Sequence, residues 1–301
     1  MKRYWLGLAA ATMLSACGSG GGNPFIEDTD TDDPEVGVPA DVAQDLQGIS
    51  YDPVSQTLTV RGITLDNEEF EAVYNRRPAL DRNGYEAYTS QDSSLSRHTT
   101  AYLRDIDGTR AAVVTTGGQF EYFFGGAVYG RAGAYDPPSV TGSGGLASYA
   151  GRYIGMLNGP GDGGDLLPVT PGTSPSVTPV QAGEVTGKVL VNADFTDNAV
   201  NGIIYDRTYV DSPGTEMVDL ELAPTAIDPA SGTFVGDVSI QQQVRGSYGG
   251  IFGGDDAATV AGGIYVEDHI TSVQNEVEYG IFVLPKCGTP GDAALCDQPN
   301  P

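Results

Sequence analysis

Beyond residue 45 the chain is written in short runs that alternate apolar and polar residues, and no run sustains a helical stripe over three turns. A period of two sends successive side chains to opposite faces of an extended strand, whereas a helix needs apolar residues three and four apart. Ile49, Tyr51, Leu58, Val60 and Ile63 alternate with polar residues, and residues 217–222 do so strictly. Between the runs stand Asp52-Pro53-Val54-Ser55, Asp107-Gly108, Asp197-Asn198 and Asp228-Pro229-Ala230-Ser231, all of them turn formers. The 42 Gly and 19 Pro that supply such breaks follow no collagen period. The expected class is all-β.

The runs fall into two groups. Residues 46–145 hold candidate strands near 49–51, 58–63, 70–74, 85–88, 99–103, 110–116 and 120–129, a smaller N-terminal β subdomain. Asp136-Pro137-Pro138 and Thr141-Gly142-Ser143-Gly144-Gly145 break the pattern and mark a boundary. Residues 146–286 then carry eight runs, at 149–157, 185–192, 199–207, 217–222, 232–241, 246–252, 261–266 and 278–284. Eight antiparallel strands make a small closed barrel filled by its own side chains, and closure removes exposed edges. Residues 159–183, rich in Pro, Gly, Ser and Thr, read as a long exposed loop.

The N-terminus has a different character. Lys2 and Arg3 precede a short apolar stretch, then Leu14-Ser15-Ala16-Cys17. A positive start, an apolar core and small residues before a cut point make residues 1–16 a signal peptide, too short to span a bilayer. The tetrad resembles the bacterial lipobox. That resemblance implies acylation of Cys17, with palmitate-type chains inserted in a membrane. Gly18, rather than Asp, after the Cys implies the outer membrane, in either leaflet. The alternative is an ordinary signal peptide with a chance Cys. Residues 17–45 are Gly-rich and then acidic, with Asp28, Asp30, Asp32, Asp33, Asp41 and Asp45 among the acids, and read as a solvated tether. A calcium loop starting at Asp28 fails, because Asp33 stands where Gly is needed and Pro39 where Glu is needed. In an oxidising envelope Cys287 and Cys296 are expected to pair as a small disulfide loop in the tail, residues 287–301; free thiols are the alternative.

Forty acidic residues face fifteen basic ones, a formal net charge of −25. No basic footprint exists for nucleic acid or for an anionic lipid surface. A search for chemistry finds little. His98 and His269, the only histidines, sit in polar stretches and read as exposed polar residues. No Gly-x-Ser-x-Gly elbow occurs, Asp211-Ser212-Pro213-Gly214 is no aspartic-protease loop, and no phosphate loop follows Gly159-Pro160-Gly161. Two histidines do not suffice for a zinc site in this context. The expectation is no enzyme, no cofactor and no metal.

One stretch carries a resemblance. Gly246-Ser247-Tyr248-Gly249-Gly250-Ile251-Phe252-Gly253-Gly254 precedes Asp255-Asp256-Ala257, followed by Gly262-Gly263-Ile264-Tyr265. Tyr248, Gly250, Phe252, Gly253, Ala257, Gly262 and Gly263, opened by Gly246, resemble the closing region of the barrel lobe of the transferrin-binding protein B family, whose barrels are related to those of factor H-binding and haemoglobin-binding neisserial lipoproteins. Gly118 to Gly126 echoes the same pattern. The resemblance implies a C-terminal eight-stranded barrel preceded by a handle-like β subdomain, on a surface lipoprotein that binds a protein or small-molecule ligand, iron carriers among the candidates. A structural envelope lipoprotein without a diffusible ligand, and an enzyme with an unrecognised site, stay open. The motif residues themselves are expected to be structural. Phe252 fills the barrel, Gly253 turns a corner at positive φ, and Asp255 and Asp256 form an exposed excursion.

Overall fold

A computed structural model describes residues 38–63, 69–118, 123–140, 145–271 and 273–298. Cys17 and the signal peptide lie outside these residues.

Seven strands form one antiparallel meander: β1 (Leu46–Asp52), β2 (Thr57–Ile63), β3 (Glu69–Arg76), β4 (Glu86–Ser90), β5 (Thr99–Ile106), β6 (Thr109–Thr116) and β7 (Gly125–Arg131), each hydrogen-bonded to the next. The turn at Asp52 is built locally, its carboxylate accepting from the Val54 N–H at 2.8 Å and from the Ser55 hydroxyl at 2.7 Å. Asp45 draws the two ends of the meander together. Its N–H donates to Gly125 O, its carbonyl accepts from Ile63, and its carboxylate accepts from the Gly125 N–H. The tether expectation therefore fails for residues 38–45. A short helix, α1 (Ala40–Ala43), buries Val42 completely, and the acids there are part of the fold.

Eight more strands, β8 (Leu146–Pro160), β9 (Ala182–Asp194), β10 (Ala199–Tyr209), β11 (Leu220–Ala226), β12 (Thr233–Ile240), β13 (Gln243–Gly253), β14 (Thr259–Glu267) and β15 (Val277–Pro285), make a closed antiparallel barrel in which β15 pairs back onto β8. The all-β class, the eight-stranded barrel and the preceding smaller β region are as the alternation requires. Individual bounds differ: β7 begins at Gly125, past the expected 120, and β11 at Leu220, past 217.

The barrel is buried on two sides, and its alternation shows why. Along β15, Glu278, Gly280, Phe282 and Leu284 point inward, while Tyr279, Ile281 and Val283 point out against the seven-stranded sheet. Along β8, Tyr149, Tyr153 and Leu157 point inward, while Ile154 and Met156 point out. The lumen is filled by Tyr, Phe, Val, Leu and Ile side chains and is a core rather than a channel. At the outer seam β13, β14, β15, β8 and α1 pack on β5, β6 and β7 through Tyr85, Tyr102, Val113 and Tyr129.

The Gly-rich motif now has a two-sided explanation. Gly249 pairs with Gly263, and Gly250 with Gly262, across β13 and β14. A side chain at Gly250 would strike the ring of Phe234, and one at Gly262 the ring of Phe282, both in the lumen. On the opposite face, a side chain at Gly249 would strike the Tyr129 hydroxyl and one at Gly263 would crowd Val42. Glycine therefore makes room for interior rings on one face and for sheet and helix docking on the other.

Candidate functional site

The motif residues sit where a structural role puts them. Phe252 is wholly buried, its ring centroid 4.9 Å from that of Phe195 and 5.2 Å from that of Phe234. Tyr248 also points inward, and its hydroxyl donates to Ala223 O at 2.6 Å. Gly246 lies against the backbone of Tyr265, with no room for a side chain. Two expectations need correction. Gly253 is not the residue at positive φ; Gly254 is, at 71°. Gly253 is small for another reason: a side chain there would strike Thr109 Oγ1 in the seam. Nor is Asp256 only solvated. Its N–H donates to Asp136 Oδ2 at 2.9 Å, and its Oδ1 accepts from the Ser139 N–H at 3.0 Å. It sits at φ 57°, a conformation Asp tolerates because its short side chain bonds locally. Beside it, Ala257 is buried and accepts the Tyr149 hydroxyl at 2.6 Å.

Cys287 and Cys296 are joined, with Cα atoms 5.4 Å apart. The loop they close is not a free tail. Together with Leu295 and Ala293 they pack on Ala150, Leu190, Ile203 and Tyr205 of the barrel's outer face. Of the Gly118–Gly126 echo, residues 119–122 lie outside the described residues.

Both histidines are buried, against expectation, and each holds a carboxylate. His269 Nε2 lies 2.9 Å from Glu278 Oε2 inside the barrel, and its Nδ1 lies 3.9 Å from Glu276 Oε1. Arg207 Nη2 donates to Glu278 Oε2 at 2.6 Å and the Tyr153 hydroxyl to Oε1 at 2.5 Å. Arg207 reaches inward because the β9–β10 register shifts between Tyr205 and Thr208, with Asp206 at φ 49°. A side chain at Gly155 would strike Glu278 and one at Gly280 would strike Tyr153, so two glycines clear space for this cluster. Burial by itself would push the Glu278 carboxyl up, but Arg207, His269 and Tyr153 outweigh it and hold the group at about 2.

The second trio is open to water. Residues 161–181, between β8 and β9, fold back onto the seven-stranded sheet and place Asp165 beside β4. Asp165 Oδ2 accepts from the Thr89 hydroxyl at 2.8 Å and lies 3.0 Å from His98 Nε2. Arg77 Nε, just past β3, lies 3.3 Å from Asp165 Oδ1 and donates to Thr89 Oγ1 at 3.1 Å. The His98 side chain is 1% exposed, that of Asp165 19% and that of Arg77 50%. Partial burial raises the Asp165 carboxyl, but its bonds to His98 and Thr89 and the nearby Arg77 charge outweigh this and hold it below the usual carboxylate range. Arg77, Thr89 and Asp165 border a cleft of about 170 Å³, lined also by Val73, Asn75, Ser90, Gln91, Asp92 and Leu167. The Gln91 amide oxygen accepts from the Leu167 N–H at 2.8 Å, pinning loop to sheet. Thr89 and His98 both turn toward the same carboxylate, so the hydroxyl is not aimed at the imidazole as a nucleophile would be at its base. The arrangement fixes a carboxylate and a guanidinium side by side at a solvent cleft. Among the described residues, no group of three or more His, Cys, Asp or Glu is arranged to hold a metal ion.

Sequence reasoning missed this trio because Asp165 lies in a Gly-rich loop with no period of its own. Glu278 did carry a signal: an acid on the inward phase of Glu278, Gly280, Phe282 and Leu284.

No family model matches the sequence, and no curated protein matches it. Among solved structures, the chain is similar to a double mutant of the vaccine antigen transferrin-binding protein B from Haemophilus parasuis Hp5, at 9% identity over 79% of this chain and 52% of that one, with a TM-score of 0.37. It is similar also to isotype 1 transferrin-binding protein B from serogroup B Neisseria meningitidis, at 10% identity over 79% and 51%, with a TM-score of 0.34. The chain spans about half the length of each.

Proposed function

We propose that this chain is a lipid-anchored outer-membrane lipoprotein whose barrel serves a non-catalytic binding role, with the barrel as scaffold and the sheet–barrel cleft and its loops as the contact surface. The observation that carries the reading is the filled lumen: a barrel packed with its own Tyr, Phe and aliphatic side chains has no interior site, so recognition falls to the outside. The domain plan follows: residues 1–16 direct export, Cys17 carries the anchor, residues up to 37 act as tether, 46–145 and 146–286 fold against each other, and the tail is held on the barrel through Cys287, Ala293, Leu295 and Cys296. The Leu14–Cys17 tetrad and the glycine motif support a surface lipoprotein of the transferrin-binding protein B type. An iron-carrier protein is the first ligand to test.

The test has two arms. Cys17→Ser should leave the protein unprocessed or released from membranes in a fractionation; normal processing with full membrane retention would reject the anchor. The full chain in detergent, incubated with iron and haem carriers, should retain one of them, and Leu167→Asp at the cleft rim should weaken that retention. Retention of none would favour the structural envelope role instead.

A further inference from the structure

The cleft beside Asp165 has the chemistry of a site for a neutral polyhydroxylated ring. Asn75, Arg77, Gln91, Asp92 and Asp165 all border it. Arg77 carries paired donors, Asp92 and Asp165 paired acceptors, and the Asn75 amide one of each, geometries that grip neighbouring hydroxyls; the Gln91 amide is committed to Leu167 and Ser96. The carboxylate is set in advance. Asp165 Oδ2 is occupied by Thr89 and His98, which leaves Oδ1 beside Arg77 Nε at 3.3 Å. A hydroxyl placed there donates to Oδ1 and accepts from the guanidinium. One histidine, 1% exposed, is buried to hold a carboxylate that itself stays partly open to water. Val73 and Leu167 stand among the lining residues, and the surface the cleft offers is mostly polar.

Charge and size narrow the ligand. An anion would meet two carboxylates, Asp92 and Asp165. A cation would sit against Arg77. A neutral polyol uses all three without a charge conflict. A cavity of about 170 Å³ is below the range that holds drug-sized ligands. It suits one ring rather than a peptide.

We infer that the cleft between the seven-stranded sheet and residues 161–181 binds a single sugar unit, free or at the end of a glycan, with Arg77 and Asp165 gripping a vicinal pair of its hydroxyls. This rests on the binding reading above and names the ligand class of that cleft.

The experiment is saturation-transfer NMR on the full chain in detergent with D-glucose, D-galactose, D-mannose and N-acetylglucosamine, and with glycine and inorganic phosphate as charged counterparts. Transfer to at least one sugar is expected, with a dissociation constant in the millimolar range. It should weaken about tenfold or more in both Arg77→Met and Asp165→Asn, a change equivalent to about 1.4 kcal/mol of binding. Unchanged thermal melting of both variants would show that the loss is local. Leu295→Ala, on the far packing of the tail, should leave binding unchanged. No transfer to any sugar, transfer only to glycine or phosphate, or sugar binding indifferent to both cleft variants would overturn the assignment. Carrier retention that survives without sugar binding would sink the sugar and leave the binding role standing; loss of both would sink the two together.

Discussion

The molecule holds the same three chemical groups twice, a carboxylate between a histidine and an arginine. Glu278, His269 and Arg207 sit inside the barrel with side chains at 0% exposure. Asp165, His98 and Arg77 sit at the seam, graded from 1% to 50%. The inner trio is enclosed, with Tyr153 taking the remaining carboxylate oxygen. No surface is left for a ligand, and Arg207 spends its other terminal nitrogen on Val218 O at 2.7 Å. The outer trio uses a buried histidine to hold a carboxylate at a cleft. Composition is thus a poor guide to role. Access to water distinguishes a structural ion cluster from a recognition site, because only an accessible pair can exchange water for ligand.

Arginine removal should separate the two most sharply. Arg207→Met leaves Glu278 buried without its arginine partner and should cost about 3–5 kcal/mol in denaturant unfolding, whereas Arg77→Met should cost at most about 1 kcal/mol. Equal costs would erase the distinction. Phe252→Ala, a purely apolar loss in the same lumen, should fall in the range of about 3–5 kcal/mol and calibrates the inner measurement.

Acid provides the next contrast. The folded pKa of Glu278 is depressed, so its stabilisation is present above the ordinary carboxylate value of 4.5 and is lost as pH falls toward about 2. That span corresponds to roughly 3 kcal/mol. Asp165 is shifted in the same direction but is partly hydrated, so its contribution, lost below 3.8, should be smaller. Urea midpoints between pH 5 and pH 2, for the parent and for Glu278→Gln and Asp165→Asn, measure both. A pH slope unchanged by Glu278→Gln would contradict the inner network.

Seam packing is tested by Gly253→Val. It should destabilise by about 1–3 kcal/mol through collision with Thr109 rather than through backbone strain, and Thr109→Ala should recover part of the loss in a double-mutant cycle. Reduction of Cys287–Cys296 should cost about 2–3 kcal/mol at most, with amide exchange rising in residues 287–298 and little elsewhere. Smallest are the acids of the motif: Asp256→Ala, which loses the bond from the Ser139 N–H and the ion pair with Lys286 but keeps its own N–H on Asp136, should cost about 1 kcal/mol, and Asp255→Ala should be nearly silent in thermal melts.

Alternation along each run, with Gly and Pro punctuation, was enough to specify an all-β chain and eight barrel strands, and the glycine motif pointed to Phe252 in the lumen. Those are consequences of a period that local residues write by themselves. The cysteine pair followed from count and compartment. The fate of the polar groups could not be read this way. His98 lies in a polar stretch, yet it is buried because Asp165, 67 residues later, folds back over it. Arg207 turns inward only because of a bulge, and Gly253 is small because a strand of the other sheet presses on it. Burial of a charge is decided by its partner, and the partner is brought by chain topology from a distance that no local pattern records.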